Sequence, residues 1–368
     1  MIDEDHMAHA LRLGARGLGR VWPNPAVGCV IVNGKIIVGR GWTQTGGRPH
    51  AETMALAQAA DAARGATVFV TLEPCAHHGQ TPPCANALIA AGVARVVMPL
   101  TDPDPRVTGR GRAMLQAAGI AVTDGVAADQ ARYANAGFLK RVTRGLPFVT
   151  LKLATSLDGR IATATGQSRW ITGQSARRAV HLMRMTHDAV LIGAGTARAD
   201  DPDLSVRELG ATHQPVRIVM DSRLSHDPHS RLGKTAKESP VWMLHGPDAP
   251  RDARMAWADQ GAALLEIACD HAGQINARMA MQALATKGIT RIFCEGGGTL
   301  AASLLRANLV DELALFTAGA LIGGDGQAAL APLGITELSD APRLKLRETH
   351  QIGPDCYSLW AVLDSVSG

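Results

Sequence analysis

Aromatic side chains are scarce in this chain, with two Tyr, five Phe and six Trp making up 4% of 368 residues. A protein that stacks successive single-stranded bases carries more than that, so no nucleic-acid partner is expected. Long apolar runs are missing too. The longest, such as 26–32 and 87–91, fall far short of the ~20 residues that span a bilayer, so no membrane partner is expected either. Six cysteines are too sparse for a disulfide framework. The acidic start, Met1-Ile-Asp-Glu-Asp-His6, has no apolar segment behind it, so a signal peptide is not expected. The expected compartment is the cytoplasm. Charge of one sign is not in large excess: the net value is +4 and the 37 Lys and Arg are scattered. That leaves room for an anionic small molecule but offers no stripe for a polyanion.

What is present is a globular composition, 46% hydrophobic and 19% charged, on a chain long enough for two domains of ~150 residues. The first half alternates strands and helices. Met7, Leu11 and Leu18 mark a first helix. Residues 26–32 and 35–41 flank Asn33-Gly34, a strong hairpin signal. Helices are expected over 50–63, 85–91, 110–118 and 127–141, and strands over 66–71 and 94–99. The pattern breaks around Thr143-Arg-Gly-Leu-Pro147. A second series follows, with strands near 148–154, 189–192, 216–220, 241–244 and 291–294, helices near 175–185 and 275–285, and two antiparallel strands over 344–351 and 356–362. No internal repeat relates the halves. The expectation is two different α/β domains, residues 1–146 and 147–368.

His50-Ala51-Glu52 opens a helix, Pro74-Cys75 ends a strand, and Pro83-Cys84 opens the next helix. One imidazole and two thiolates leave a fourth position for water, the layout of a catalytic zinc. Glu52 is then the proton carrier beside the metal, the H-x-E plus P-C logic of zinc deaminases. The usual C-x-x-C is stretched here, because eight residues separate Cys75 from Cys84. His77 or His78 could close the site as a fourth ligand, or contact substrate. Cys29, Cys269, Cys294 and Cys356 stand alone and read as small buried core residues.

In the second half, Glu295-Gly-Gly-Gly298 between a strand and a helix suits a phosphate cradle, and Gly193-Ala-Gly195-Thr196 is a second such turn. The latter fails as a dinucleotide fingerprint, since Arg198 stands where the third glycine belongs. Asp221 could accept a ribose hydroxyl and favour NAD. Ser222-Arg223 could instead hold a 2′-phosphate and favour NADP. Lys152, in an apolar strand, reads either as a site cation or as a solvent-facing lysine.

Taken together, Pro23-Asn-Pro-Ala-Val-Gly28, His50-Ala-Glu52, the segment Pro74 to Cys84, Lys152 to Arg160, Ser168-Arg-Trp170, Gly193 to Thr196, Asp200 to Leu204 and Glu295 to Gly298 resemble the bifunctional riboflavin-biosynthesis deaminase/reductases of the RibD type. The resemblance covers essentially the whole chain. It implies a cytidine-deaminase-like three-layer domain followed by a dihydrofolate-reductase-like α/β domain. It also implies zinc-dependent deamination of 2,5-diamino-6-(ribosylamino)pyrimidinone 5′-phosphate, then NADPH-dependent reduction of the ribosyl group to ribityl. Asn24, His77 and Asp102 stand where the family contacts the deaminase substrate. Ala154, Trp170, Thr196, Asp200, Ser222, Gly297, Gly298 and Thr299 fall on the NADPH site. Lys152, Ser168, Arg184, Leu204, Arg207 and Glu295 fall on the reductase substrate site. A homodimer or higher homo-oligomer is also implied.

Two positions depart from the family. Thr43 replaces a frequent His and Gln80 a frequent Lys or Arg, both associated with the substrate's phosphate or ribose end. Arg48 is the candidate to take over that role. Two other readings remain open at this point. One is a zinc deaminase of another base or nucleoside whose second half binds nucleotide without reducing it; the other is a nucleotide sensor with a structural zinc.

Overall fold

The structure, a computed structural model, describes residues 2–76, 82–105 and 107–363. The chain divides into two compact units, Met1–Leu146 and Pro147–Gly368. In the first unit the elements run α1 (Asp3–Gly14), β1 (Gly28–Asn33), β2 (Ile36–Trp42), α2 (Ala51–Ala59), β3 (Thr67–Val70), α3 (Cys84–Ala90), β4 (Arg95–Met98), α4 (Arg110–Ala117), β5 (Ala121–Asp124), α5 (Ala128–Ala134) and α6 (Ala136–Arg144). The sheet order is β2-β1-β3-β4-β5. The hairpin β1–β2 and the β1–β3 pair are antiparallel, while β3, β4 and β5 run parallel.

The unbroken apolar run of β1 has a physical reason. Cys29 and Ile31 face a core shared with α2, α3, α4 and α6, whereas Val30 and Val32 face a second core built on Met7, Ala10 and Leu13 of α1. A strand buried on both faces needs no alternation. Helices cover both faces, giving three layers.

Three local expectations need correction. The first helix stops at Gly14 rather than reaching Leu18, because Gly14, Gly17 and Gly19 weaken any continuation. The expected 127–141 helix is two helices, broken at Asn135, whose φ of −102° and ψ of 15° leave the helical region. Cys356 is exposed and Cys269 half-buried, and only Cys29 and Cys294 among the four lone cysteines are core residues.

In the second unit the order is β6 (Phe148–Ser156), β7 (Arg160–Ala162), α7 (Gln174–Met185), β8 (Ala189–Gly193), α8 (Ala194–Asp200), β9 (Val216–Met220), α9 (Arg231–Lys234), β10 (Val241–His245), α10 (Arg251–Asp259), β11 (Ala263–Glu266), α11 (Ala277–Thr286), β12 (Arg291–Cys294), α12 (Gly298–Arg306), β13 (Glu312–Ala318), β14 (Gln327–Ala328), β15 (Leu344–Ile352) and β16 (Asp355–Val362). Its main sheet is ordered β11-β10-β9-β8-β12-β6-β13-β16-β15. Strands β11 through β13 are parallel, and β16 and β15 close the sheet antiparallel. The chain steps outward from β8 to β11 and then returns at β12, between β8 and β6. Such a reversal opens a crevice at the carboxyl ends of parallel strands. Among the described residues no helix is long and apolar enough to cross a membrane.

Candidate functional site

Two helix starts and the segment after β3 bring the zinc-type donors together; Cys75 does not end a strand as expected, because β3 stops at Val70. His50 caps α2 with an extended backbone, Cys75 follows β3, and Cys84 is the first residue of α3. His50 Nδ1 lies 3.2 Å from Cys84 Sγ and 3.7 Å from Cys75 Sγ, and all three donor atoms lie within 4.8 Å of one another. Tetrahedral zinc, bonded at about 2.3 Å to sulfur and 2.1 Å to nitrogen, needs N···S separations of ~3.6 Å. The donors fit that ion. Among the described residues no further His, Cys, Asp or Glu joins them.

The electrostatics suit the same role. The Cys84 thiol and main-chain N–H both donate to Cys75 Sγ, the latter at 3.3 Å, and they hold the Cys75 thiol down to about 4 against its burial. That shared proton and burial push the Cys84 thiol far up instead. Glu52, on the first turn of α2, is 4% exposed. Burial, followed by the Cys75 thiolate, pushes its carboxyl up to about 7, while a hydrogen bond with Cys84 works the other way. A carboxyl poised near neutrality is suited to moving protons. A dication beside it opposes the upward shift.

Around this centre, Asn24 closes a turn on Val21, with both its main-chain N–H and its Nδ2 donating to the Val21 carbonyl. Its carboxamide packs on Gly47, just ahead of His50. Gly47 has φ +88°, and a Cβ there would lie 2.0 Å from Asn24 Nδ2, so only glycine fits. Asp102 is buried, and its carboxylate accepts the Asp104 N–H at 2.9 Å. Thr43 is buried and its hydroxyl serves the Val27 main chain, accepting from N–H at 3.0 Å and donating to the carbonyl at 3.4 Å. His77, His78 and Gln80 lie outside the described residues.

The second unit holds a cleft of about 1210 Å³ at the carboxyl ends of β6, β8, β9 and β12. Of the residues picked out by sequence, Ala154, Thr196, Asp200, Ser222, Gly297, Gly298, Thr299, Lys152, Ser168 and Glu295 line it. Gly193 caps α8 and Gly297 caps α12, so both glycine turns lead directly into helices. The Gly297 N–H donates to Thr196 Oγ1 at 3.0 Å, fastening one turn to the other.

Lys152 faces the cleft rather than open solvent. Burial lowers its pKa, partly offset by Glu295. Arg184 and Glu295 form a buried two-pronged ion pair, Nε–Oε1 2.5 Å and Nη2–Oε2 3.0 Å, and Arg184 Nη1 also donates to the Ser205 carbonyl at 2.9 Å. Burial alone would raise the Glu295 pKa, but Arg184 outweighs it and keeps the carboxylate ionised.

Four sequence-selected residues fall outside the cleft lining. Arg184 lies behind Glu295. Leu204 is a core residue with φ +62°. Arg207 is exposed and pairs with Asp203 at 3.6 Å. Trp170 is 72% exposed, with the Arg177 guanidinium 4.6 Å over its ring.

Residues 147–358 match the RibD C-terminal domain, and residues 1–100 match the cytidine and deoxycytidylate deaminase zinc-binding region. The chain is 45% identical to the riboflavin biosynthesis protein RibD of Escherichia coli over 367 residues, covering 96% of this chain and 98% of that protein. The chain belongs to the RibD family. The Haemophilus influenzae RibD is 43% identical, covering 95% and 94%. Among solved structures, an Acinetobacter baumannii RibD matches with a TM-score of 0.88 and 38% identity, covering 98% of this chain and 99% of the other. A Thermotoga maritima diaminohydroxyphosphoribosylaminopyrimidine deaminase/5-amino-6-(5-phosphoribosylamino)uracil reductase matches with a TM-score of 0.85 and 31% identity, over the same shares. Like other RibD proteins, this chain joins an N-terminal cytidine-deaminase-like domain to a C-terminal reductase domain of dihydrofolate-reductase-like fold. It is an enzyme acting on a small molecule, with deaminase and reductase domains.

In this RibD chain the sequence did not single out Arg198 and Ser225 as cleft residues, and it gave Asp221 a ribose-facing role that the structure does not bear out. Arg198 and Ser225 line the cleft, and Arg198 Nη1 donates to Ser225 Oγ at 2.6 Å. Asp221 is buried, and its carboxylate is occupied by the Arg223 and His226 N–H groups and the Ser225 hydroxyl. Its position before Ser222-Arg223 was visible in sequence, but its partners were not. Glu73, two residues before Cys75, was also missed.

Proposed function

We propose that the chain catalyses two successive steps of riboflavin biosynthesis. It first hydrolyses an amino group from 2,5-diamino-6-(ribosylamino)pyrimidinone 5′-phosphate, then reduces the ribosyl group to ribityl with NADPH, giving 5-amino-6-(ribitylamino)uracil 5′-phosphate. The observation that carries the first step is the His50, Cys75 and Cys84 donor cluster with the buried Glu52 carboxyl beside it. His50, Cys75 and Cys84 would hold a zinc ion, which would supply the Lewis acidity that lets water act as a nucleophile near neutral pH. Glu52 takes the proton of the attacking water and delivers it to the departing amine, which leaves as ammonia. Asn24, His77 and Asp102 are assigned to the substrate, with Arg48, two residues before His50, as the candidate to hold its phosphate or ribose end.

For the second step, NADPH supplies a hydride to the open-chain, imine-like form of the ribose. Ala154, Trp170, Thr196, Asp200, Ser222, Gly297, Gly298 and Thr299 are assigned to the cofactor, and the N–H groups at the start of α12 would suit its phosphates. NADPH over NADH is favoured because Asp221 has spent its carboxylate on its own loop, while Ser222, Arg223, Arg198 and Ser225 line that end of the cleft. Lys152, Ser168, Arg184, Leu204, Arg207 and Glu295 are assigned to the substrate, with Arg184 acting through Glu295. Lys152 faces the cleft and provides a proton source for the nitrogen that gains it as hydride arrives.

We further assign the chain to the cytoplasm, where free thiols persist as metal ligands, and to a homodimer or higher homo-oligomer. The test is NADPH oxidation in the presence of the diamino substrate, with ammonia release followed in parallel. The reading requires stoichiometric ammonia and NADP, and NADH must serve poorly. Ammonia without any NADPH oxidation on addition of cofactor would favour the deaminase-only alternative.

A further inference from the structure

The Glu73 carboxylate is 4% exposed and collects three main-chain donors from one distant segment. Oε2 accepts the Asp102 N–H at 3.1 Å and the Gly109 N–H at 3.0 Å, and Oε1 accepts the Arg112 N–H at 3.1 Å. A buried carboxylate costs several kcal/mol to desolvate unless such bonds compensate it. Among the described residues the compensation comes from the main-chain N–H groups of Asp102, Gly109 and Arg112, the last on the first turn of α4.

The opposite side of the junction is equally tight. A Cβ on Gly111 would lie 2.0 Å from the Pro74 carbonyl oxygen, so α4 presses on the peptide that immediately precedes Cys75. The Thr108 hydroxyl tightens the loop itself, donating to the Asp102 carbonyl at 2.9 Å and lying 2.8 Å from the Asp104 carbonyl. The Glu73 carboxylate and the Pro74 carbonyl, on the segment between β3 and Cys75, thus both pack on the stretch from Asp102 to α4.

We propose that Glu73 is a positioning residue for the deaminase reaction: it fixes the Asp102 loop against the segment after β3 that bears Cys75, so that substrate contacts and metal ligand keep one mutual geometry. The proposal deepens the assignment of Asp102 to the substrate and rests on it in part. Glu73 touches neither metal nor substrate and acts through main-chain hydrogen bonds. Replacing the carboxylate by an amide leaves one acceptor oxygen where two served, so at least one of the three N–H groups loses its partner, and the loop is freed while His50, Cys75, Cys84 and Glu52 stay in place.

The test is Glu73→Gln in the full chain, with zinc content, deaminase kcat and KM, and reductase activity on the deaminated substrate all measured. The reductase is an internal control, since it belongs to a separate compact unit. The expected result is zinc retained, reductase within two-fold of wild type, and deaminase KM raised about ten-fold with a smaller fall in kcat. An unchanged deaminase KM, or parallel loss of both activities, overturns the proposal. If Glu73→Gln yields no folded chain, Thr108→Val loosens the same loop from its other side, and a deaminase KM rise of three-fold or more is required. Asp102→Asn separates the two readings. A KM rise in Glu73→Gln but not in Asp102→Asn keeps the positioning role and removes Asp102 from the substrate; the reverse removes the positioning role alone.

Discussion

The Arg184–Glu295 pair offers a stability prediction that can be worked through from geometry. Both side chains are about 10% exposed, 11% and 10%, and two N–H···O bonds join them. Glu295→Gln keeps the shape of the side chain but removes its charge and one of its two acceptors, leaving an uncompensated guanidinium in the interior with the Ser205 carbonyl and a single amide oxygen. Breaking one partner of a buried pair costs about 3–5 kcal/mol. With a urea dependence of roughly 2 kcal/mol per molar, the second unit should unfold ~1.5–2.5 M earlier. Replacing both partners, Arg184→Met with Glu295→Leu, should recover most of that loss, because apolar residues of similar volume substitute for buried ion pairs at little cost. The assay is hydrogen exchange of peptides from β8 and β12 across a urea series, which reports this unit without relying on catalysis. A single-variant shift below ~0.5 M, or losses that simply add in the double variant, would refute the reasoning.

Other predictions follow from single contacts. Gly47→Ala forces Asn24 off its turn through the 2.0 Å Cβ approach, so deaminase KM should rise about ten-fold with zinc content unchanged, as steady-state kinetics and metal analysis would show. His187 is held neutral, pushed down to about 3 by burial and then by Arg291. Because its unfolded value is higher, its contribution is complete above pH ~6.5 and declines toward pH 3, by up to ~1.4 kcal/mol per pH unit. Urea midpoints of the second unit at pH 7 and pH 5 should therefore differ, and His187→Gln should flatten that difference. Arg223→Ala should raise the KM for NADPH by about ten-fold or more and leave that for NADH unchanged, in line with one lost charge-assisted bond of ~1.5–3 kcal/mol.

Much of the architecture was legible because burial writes itself into sequence. The β1–β2 hairpin, the apolar parallel strands and the zinc-type residues could all be read from residue order. The strand β13 could not, although it lies inside the main sheet. Its buried positions are Glu312, Ala314, Phe316 and Ala318, while Leu313 and Leu315 face the half-exposed side. Apolar residues thus stand on both faces while a buried Glu opens the strand, which removes the alternation on which strand recognition depends, and Glu312 is reached by Arg347 from β15 at 3.5 Å.

The candidate sites divide along a similar line. Side chains whose own groups carry the proposed chemistry, such as His50 or Glu52, announce it through residue type and spacing. Residues that act through backbone do not. Glu73 meets main-chain donors 29, 36 and 39 positions further on, and Asp221 turns inward on its own loop. Lys152, whose environment was open in sequence, is defined by Glu295, Arg184 and Asp200, three residues that only folding brings near it.

The central claim is that two chemistries act in series on one chain, with Glu52 serving only the first. The most direct measurement is NADPH oxidation by the Glu52→Gln variant, supplied in turn with the diamino and the deaminated substrate, after its zinc content has been determined. The account predicts zinc bound at the wild-type level, no NADPH oxidation from the diamino substrate, and wild-type oxidation from the deaminated one. Wild-type oxidation from the diamino substrate would contradict it.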